Sequence, residues 1–266
     1  PLAWEAFRAA GAGVHGVPVD AGGLSIAALE DALARNRRIR AVYVTPHHQY
    51  PTTVTMGAGR RLQLLDLAQR HRLAVIEDDY DHEYRFEGRP VLPLAARAPA
   101  GLPLVYVGSL SKLLSPGIRL GYAVAPETVL MRMAAARAAI DRQGDAPLEA
   151  ALAELIRDGD LGRHARKARR VYRARRDLLA AALADLLGER VSFELPAGGL
   201  AIWLQANGVP AELWARRAGE VGLALLPGSR FALRRPAPEA FRLGYAALNE
   251  TQIHRAVEIL ARTWPG

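Results

Sequence analysis

The sequence contains no cysteine, which excludes a disulfide-stapled scaffold, cysteine metal ligands and thiol nucleophiles, and suits a reducing cytoplasm. Lysine is nearly absent too: Lys112 and Lys167 stand against 33 arginines. Arginine stays protonated in proteins, whereas lysine can lose its proton and attack a carbonyl carbon. In a chain that writes its positive charge as arginine, each lysine therefore raises a chemical question. Glycine and proline together make up only about 15% of the residues, below the roughly 25–30% of low-complexity chains. No apolar run approaches the roughly 20 residues of a membrane helix. What is present, 50% hydrophobic and 23% charged residues over a length of 266, suffices for a globular chain with a sizeable core, in one large domain or two. The net charge of +8 permits an acidic partner such as nucleic acid without requiring one. The chain opens on Pro1 and runs almost at once into Trp4-Glu-Ala-Phe-Arg-Ala-Ala. That reads as the middle of a fold, so a piece of a longer protein is expected.

Between Ser25 and Gly121 helical and strand patterns alternate. Leu29 and Leu33 with flanking alanines predict a helix over 25–37 with Ser25 as N-cap, and Leu62, Leu65 and Leu67 predict another over 60–72. Short apolar runs at 39–45, 73–76, 104–107 and 120–125 read as strands. Strands alternating with helices predict an α/β sheet covered by helices on both faces, and in such sheets ligands sit at the carboxyl ends of the strands. After Pro126 helices dominate, at 127–140 and over about 148–187 with a break near Gly159 to Gly162. Strand-like stretches at 191–205, 223–226 and 241–246 then mix with helices at 211–220 and 250–263. The expected organisation is the carboxyl-terminal portion of a large α/β domain over 1–164 and a smaller α+β domain over 165–266.

Three polar clusters follow strand ends. Gly108-Ser-Leu-Ser-Lys112 continues to Pro116-Gly-Ile-Arg119-Leu-Gly-Tyr. An amine with hydroxyls at positions −3 and −1 and an arginine seven residues on has the parts for an aldehyde cofactor carrying a phosphate. Ile76-Glu-Asp78-Asp79-Tyr80-Asp81 suits two chemistries. A pyridine ring that serves as electron sink needs a carboxylate at its nitrogen and a donor at its phenolic oxygen, while clustered hard carboxylates also suit magnesium. Thr45-Pro-His-His-Gln-Tyr50-Pro51-Thr-Thr-Val-Thr-Met forms a third polar turn. His47, His48 and His82 lack metal-ligand spacing. The run from Arg163 to Arg176 holds eight Lys/Arg in fourteen residues and reads as a solvated, salt-bridged helix face ahead of a nucleic-acid surface. Trp203 and Trp214 read as core.

The segments TPHHQYPTTVTM, IEDDYDHEYRFEGRP and YVGSLSKLLSPGIRLGYAVAP resemble the aspartate-aminotransferase fold, fold type I of the pyridoxal-phosphate-dependent enzymes. More narrowly they resemble the effector domain of MocR-type transcriptional regulators of the GntR superfamily, in which a winged helix-turn-helix precedes an aminotransferase-like domain. The resemblance implies pyridoxal 5'-phosphate as cofactor and a cytoplasmic homodimer. It further implies DNA binding through an N-terminal domain outside this chain, and control by an amino-compound effector with a carboxylate, which forms an aldimine. Residue by residue, it implies that Lys112 forms the internal aldimine, Asp78 pairs with the pyridine nitrogen and Tyr80 reaches the phenolic oxygen. Ser109, Ser111 and Arg119 would hold the phosphate. Arg242, in Phe241-Arg-Leu-Gly-Tyr, would bind the carboxylate of substrate or effector. Thr53 stands where the family usually has glycine. The resemblance also places the glycine-containing phosphate loop of the fold upstream of Pro1. A working aminotransferase of the aminoadipate or aromatic type, with Lys112 shuttling the α-proton, is the alternative from a different class. A cofactor-free dimerisation scaffold is a third.

Overall fold

The computed structural model describes residues 2–89, 91–233 and 235–266. Helix α1 (Leu2–Ala9) precedes a ribbon of β1 (Val19–Asp20) and β2 (Gly23–Leu24). Then come α2 (Ile26–Arg35), β3 (Ala41–Val44), α3 (Ala58–Arg70), β4 (Ala74–Asp79), β5 (Leu104–Ser109) and β6 (Gly121–Val124). Helices α4 (Glu127–Ile140), α5 (Ala146–Arg157) and α6 (Asp160–Leu187) lead to β7 (Val191–Ser192), β8 (Ala201–Ala206), α7 (Ala211–Glu220), β9 (Ala240–Gly244) and α8 (Glu250–Arg262). The chain divides into two compact units, residues 19–50 with 54–170, and residues 2–18 with 51–53 and 171–266. The division expected between 164 and 165 falls inside α6, whose hydrogen-bonded backbone runs on without a break. The unit change comes at Val171, and the first eighteen residues group with the carboxyl-terminal unit.

The first unit is built on a sheet of order β3-β4-β5-β6, parallel except for β6, which runs antiparallel to β5. Helix α2 starts where the Ser25 side chain accepts the Ala28 N–H, and it buries Leu29, Ala32 and Leu33, one stripe at i, i+3 and i+4. Strand β4 is longer than the apolar run 73–76 predicts. Glu77, Asp78 and Asp79 continue the ladder opposite Tyr106, Val107 and Gly108 of β5, because the three carboxylates find partners on the two faces instead of ending the strand. Burial alternates along β4: Val75, Glu77 and Asp79 are buried, while Ala74, Ile76 and Asp78 are half-buried. Helix α3 sends Arg61 onto the buried face. Among the described residues one face of β4 is thus buried and the other half-buried, within the α/β sheet with helices that its alternating strands predict.

The antiparallel β5–β6 contact depends on two glycines. A Cβ on Gly108 would fall 2.2 Å from the Tyr122 ring, and one on Gly121 would fall 2.8 Å from the Gly108 carbonyl oxygen.

The second unit packs α7 and α8 with the antiparallel sheet β7-β8-β9. Trp214 of α7 is fully buried, edge-on to Phe241 and Trp264, and its indole donates to the Leu260 carbonyl at 3.1 Å. Trp203 is half-buried, edge-on to Phe231. In α6, Arg176 is buried and reaches the Pro196 carbonyl and the Asp177 carboxylate, whereas Arg166, Lys167, Arg169 and Arg170 are exposed. The stretch 223–226, read as a strand, has no strand assignment, and Leu226 is exposed. Its apolar content lacks a partner strand among the described residues.

Candidate active site

The site is assembled where the parallel strands end. Asp78 lies in β4 opposite Val107 of β5, so the exit of β5 with Ser109 and the turn to Lys112 adjoins the end of β4 carrying Tyr80. Lys112 is exposed, three residues past β5. Its turn is closed by Leu110 N–H to the Leu120 carbonyl and Leu114 N–H to the Leu110 carbonyl. Tyr84, fully buried, donates its hydroxyl to the Lys112 carbonyl at 3.0 Å, with the Leu113 carbonyl 3.4 Å away. The lysine backbone is thereby tethered while its side chain faces solvent. Ser109 accepts the Ser111 N–H at 3.2 Å, which leaves the hydroxyl hydrogen of Ser109 available to an anion. Ser111 is half-buried, and Arg119 is exposed with left-handed backbone, φ 52°.

The two central carboxylates of β4 have contrasting surroundings. Asp78 accepts a short hydrogen bond from the Tyr43 phenol, across from β3. Burial raises its proton affinity, the Tyr43 bond opposes this, and the Asp79 and Asp81 charges add to it, so the carboxyl titrates above its ordinary value. Asp79, on the buried face, accepts the Tyr106 hydroxyl at 2.7 Å. His47 Nδ1 and His82 Nδ1 lie 3.0 Å and 3.3 Å from the same oxygen. Those are ion-pair distances without hydrogen-bond alignment for either ring nitrogen. Burial alone would raise Asp79, but the two imidazoles outweigh it and hold the carboxyl well below the usual range. Asp79 in turn pushes His82 up, against burial. Glu77, fully buried, accepts the Leu94 and Ala95 N–H groups and lies 3.6 Å from Arg61. The Arg61 guanidinium also donates to the carbonyls of Met56, Pro46 and Leu92. Beyond the strand, His48 Nδ1 meets Asp81 at 2.7 Å.

Tyr80 is half-buried, and its hydroxyl donates to the His48 carbonyl at 2.9 Å. A donor role toward a ligand requires that bond to be exchanged. Thr53 has φ 64° and is 7% exposed, the left-handed conformation that glycine takes freely and a β-branched residue takes at a cost. Arg242 is half-buried in β9 opposite Trp203 of β8, within the second unit. No group of three or more histidine or acidic side chains among the described residues could hold a metal ion. Along β4 the alternation sends Asp78 to the opposite face from Glu77 and Asp79. Sequence reasoning passed over Tyr43, Tyr84, Asp79 and the three histidines. Their partners lie 28 to 35 residues away in the clearest cases, and only the strand register brings them together.

An α/β sheet that ends in a carboxylate beside an exposed primary amine, with hydroxyl and guanidinium groups following, has the donor set for a phosphorylated pyridine aldehyde. The fold is that of the fold type I pyridoxal-phosphate-dependent aminotransferases. The chain belongs to the class I and II aminotransferase family, which matches residues 4–260. It is 34% identical over 98% of its length to the 2-aminoadipate transaminase of Thermus thermophilus, covering 66% of that protein. It is also 34% identical, over 95% of its length, to the HTH-type transcriptional regulator TauR of Rhodobacter capsulatus, covering 51% of it. The crystal structure of LysN, the α-aminoadipate aminotransferase of Thermus thermophilus complexed with N-(5'-phosphopyridoxyl)-L-leucine, superimposes with a TM-score of 0.88 at 32% identity, over 98% of this chain and 67% of that one. The chain spans about half to two thirds of the length of these curated relatives. Pyridoxal phosphate is the cofactor that the family implies. The residues present fit it: a half-buried carboxylate for a ring nitrogen, an amine in solvent reach and a serine hydroxyl with a hydrogen to give. No helix among the described residues is long and apolar enough to cross a membrane.

Proposed function

We propose that the chain is the pyridoxal-phosphate-binding, effector-sensing domain of a cytoplasmic, homodimeric transcriptional regulator of the MocR type. In this reading an amino-compound effector controls DNA binding by a winged helix-turn-helix in the rest of the protein. The observation that carries the cofactor part is the placement of the exposed Lys112 amine past the end of β5, beside the strand that carries Asp78. The wording of the three motifs and the presence of a regulator among the relatives support the regulatory part. A transaminase of equal identity favours the second reading, a turnover aminotransferase that passes an amino group from an amino acid to a keto acid.

When bound, pyridoxal phosphate supplies an aldehyde for amines and an electron sink for charge at the neighbouring carbon. Lys112 is the amine that would hold the cofactor, while Tyr84 keeps the lysine backbone fixed. Asp78 would pair with the ring nitrogen and favour its protonated form. Tyr80, whose hydroxyl donates to the His48 carbonyl, would serve the phenolic oxygen, and Ser109, Ser111 and Arg119 would hold the phosphate. Arg242 takes the effector carboxylate with its planar fork. In the aminotransferase reading Lys112 would also carry the α-proton as general base. Borohydride reduction of the full-length protein followed by peptide mass spectrometry tests the cofactor assignment, with the label expected on Lys112. A label elsewhere, or none, refutes both readings. Amino acids should then be consumed at most once per site, and DNA affinity should change. Steady production of keto acid with no effect on DNA would replace the first reading by the second.

A further inference from the structure

We infer that Tyr43 is a positioning residue for Asp78, and that its phenol decides on which atom the proton between Asp78 and the cofactor's ring nitrogen resides. This rests on the role proposed above for Asp78. Tyr43 stands opposite Ile76 in the β3–β4 register, so its side chain shares the half-covered face of the sheet with Asp78, two residues further along β4. From there the hydroxyl donates to Oδ2 of Asp78, which leaves Oδ1 to a ligand at the strand end. Tyr43 remains a donor at all working pH, because burial and the Asp78 charge hold its phenol protonated.

The chemistry follows from competition for one proton. In an N–H···O pair between a pyridine ring and a carboxylate, the proton stays on nitrogen when the carboxylate is the weaker base. Burial and the charges of Asp79 and Asp81 make Asp78 more basic, and the Tyr43 bond acts against them. Tyr43 is the hydrogen-bond donor that Asp78 has among the described residues. Removing it frees the carboxylate to rotate and strengthens it as a base. Both effects draw the proton off the ring nitrogen and weaken the electron sink.

The test uses full-length protein loaded with pyridoxal phosphate labelled with ¹⁵N in the ring. The nitrogen signal of wild type is expected in the protonated range, and that of Tyr43→Phe displaced toward the unprotonated limit, with cofactor affinity about tenfold weaker, as for loss of one hydrogen bond to a charged group. Replacement of Tyr43 by 3-fluorotyrosine, equal in shape and a stronger donor, is expected to move the signal the other way. This second comparison stands if the phenylalanine variant fails to fold. An unmoved nitrogen signal, or a wild-type ring nitrogen already unprotonated, overturns the inference while borohydride still traps the cofactor on Lys112. No trapped cofactor in the wild type overturns the functional reading and this inference together.

Discussion

The two faces of β4 put the same side chain to opposite uses. Asp79 looks onto the closed face, where a phenol and two imidazoles surround it. Asp78 looks onto the half-covered face, where one phenol meets it. The closed face holds the Asp79 carboxyl below its ordinary range, and burial with neighbouring charge on the other face raises that of Asp78. Adjacent positions in a strand point to opposite sides by geometry alone. A run of acids at a strand end can therefore divide into a structural half, here Glu77 and Asp79, and a half free for chemistry, which is the part proposed for Asp78.

The largest effect that probes this division is expected at Lys112, on the chemical side. Lys112→Ala should abolish covalent cofactor capture in the full-length protein while leaving its melting temperature nearly unchanged, as read by borohydride trapping and calorimetry. On the structural side, Arg61→Met strands the buried Glu77 carboxylate without its cation and leaves three backbone carbonyls short of a donor. A loss of about 3–5 kcal/mol in denaturant unfolding is expected. Equal stability of that variant would mean that the closed face does not carry the sheet.

The sharpest comparison is a pair of identical substitutions. Asp79→Asn should lower stability by about 2 kcal/mol, the size of a lost charge-assisted hydrogen bond. Asp78→Asn should raise the melting temperature of cofactor-free protein slightly, by about 1–2 °C, because a carboxyl whose folded proton affinity is raised opposes folding at neutral pH. Two changes of like sign would break the contrast. A pH series sharpens it further. Asp79, depressed in the folded state, contributes stability above its ordinary value that disappears only as pH falls through the depressed one. His82, raised in the folded state, contributes stability below its ordinary value near 6.5 that is lost as pH climbs through the raised one. The wild type should thus lose more melting temperature than Asp79→Asn between about pH 6 and pH 9, and parallel curves would deny the coupling. The smallest effect is expected outside β4. Thr53→Gly should stabilise by about 0.5–1 kcal/mol by relieving a β-branched residue at positive φ.

The candidate site could be proposed from the sequence in part, for reasons that also mark where legibility stopped. Lys112 and Asp78 stood out because polar residues just after apolar runs have few structural duties, and because two lysines among 35 basic residues draw notice. Helix α2 was readable from Ser25 and the Leu29, Leu33 stripe, all local signals. The end of β4 was misplaced at Ile76 because carboxylates look like a loop until their partners on α3, β3 and β5 are known. Tyr43 and Tyr84 carry no local signal. Each matters through one hydrogen bond to a residue 35 or 28 positions away, and only strand register puts those atoms together. The stretch 223–226 erred the other way, as apolar residues with strand propensity that form no ladder among the described residues, the pairing being confined to Pro227 with Phe241.

The bond from Tyr84 to the Lys112 carbonyl separates two kinds of motion at a single residue. The main chain there is held by a fully buried phenol, and the four-carbon stem beyond it hangs in solvent. Exchanging one amine for another at such a residue asks only for rotations about side-chain bonds, which take picoseconds to nanoseconds when exposed. In the proposed function the tempo of amine exchange would then be set by the chemistry of the exchange and by diffusion. Under that reading the lysine would be a swinging arm on a fixed pivot, and a signal sent on to the rest of the protein would start from the partners it leaves, not from the loop that carries it.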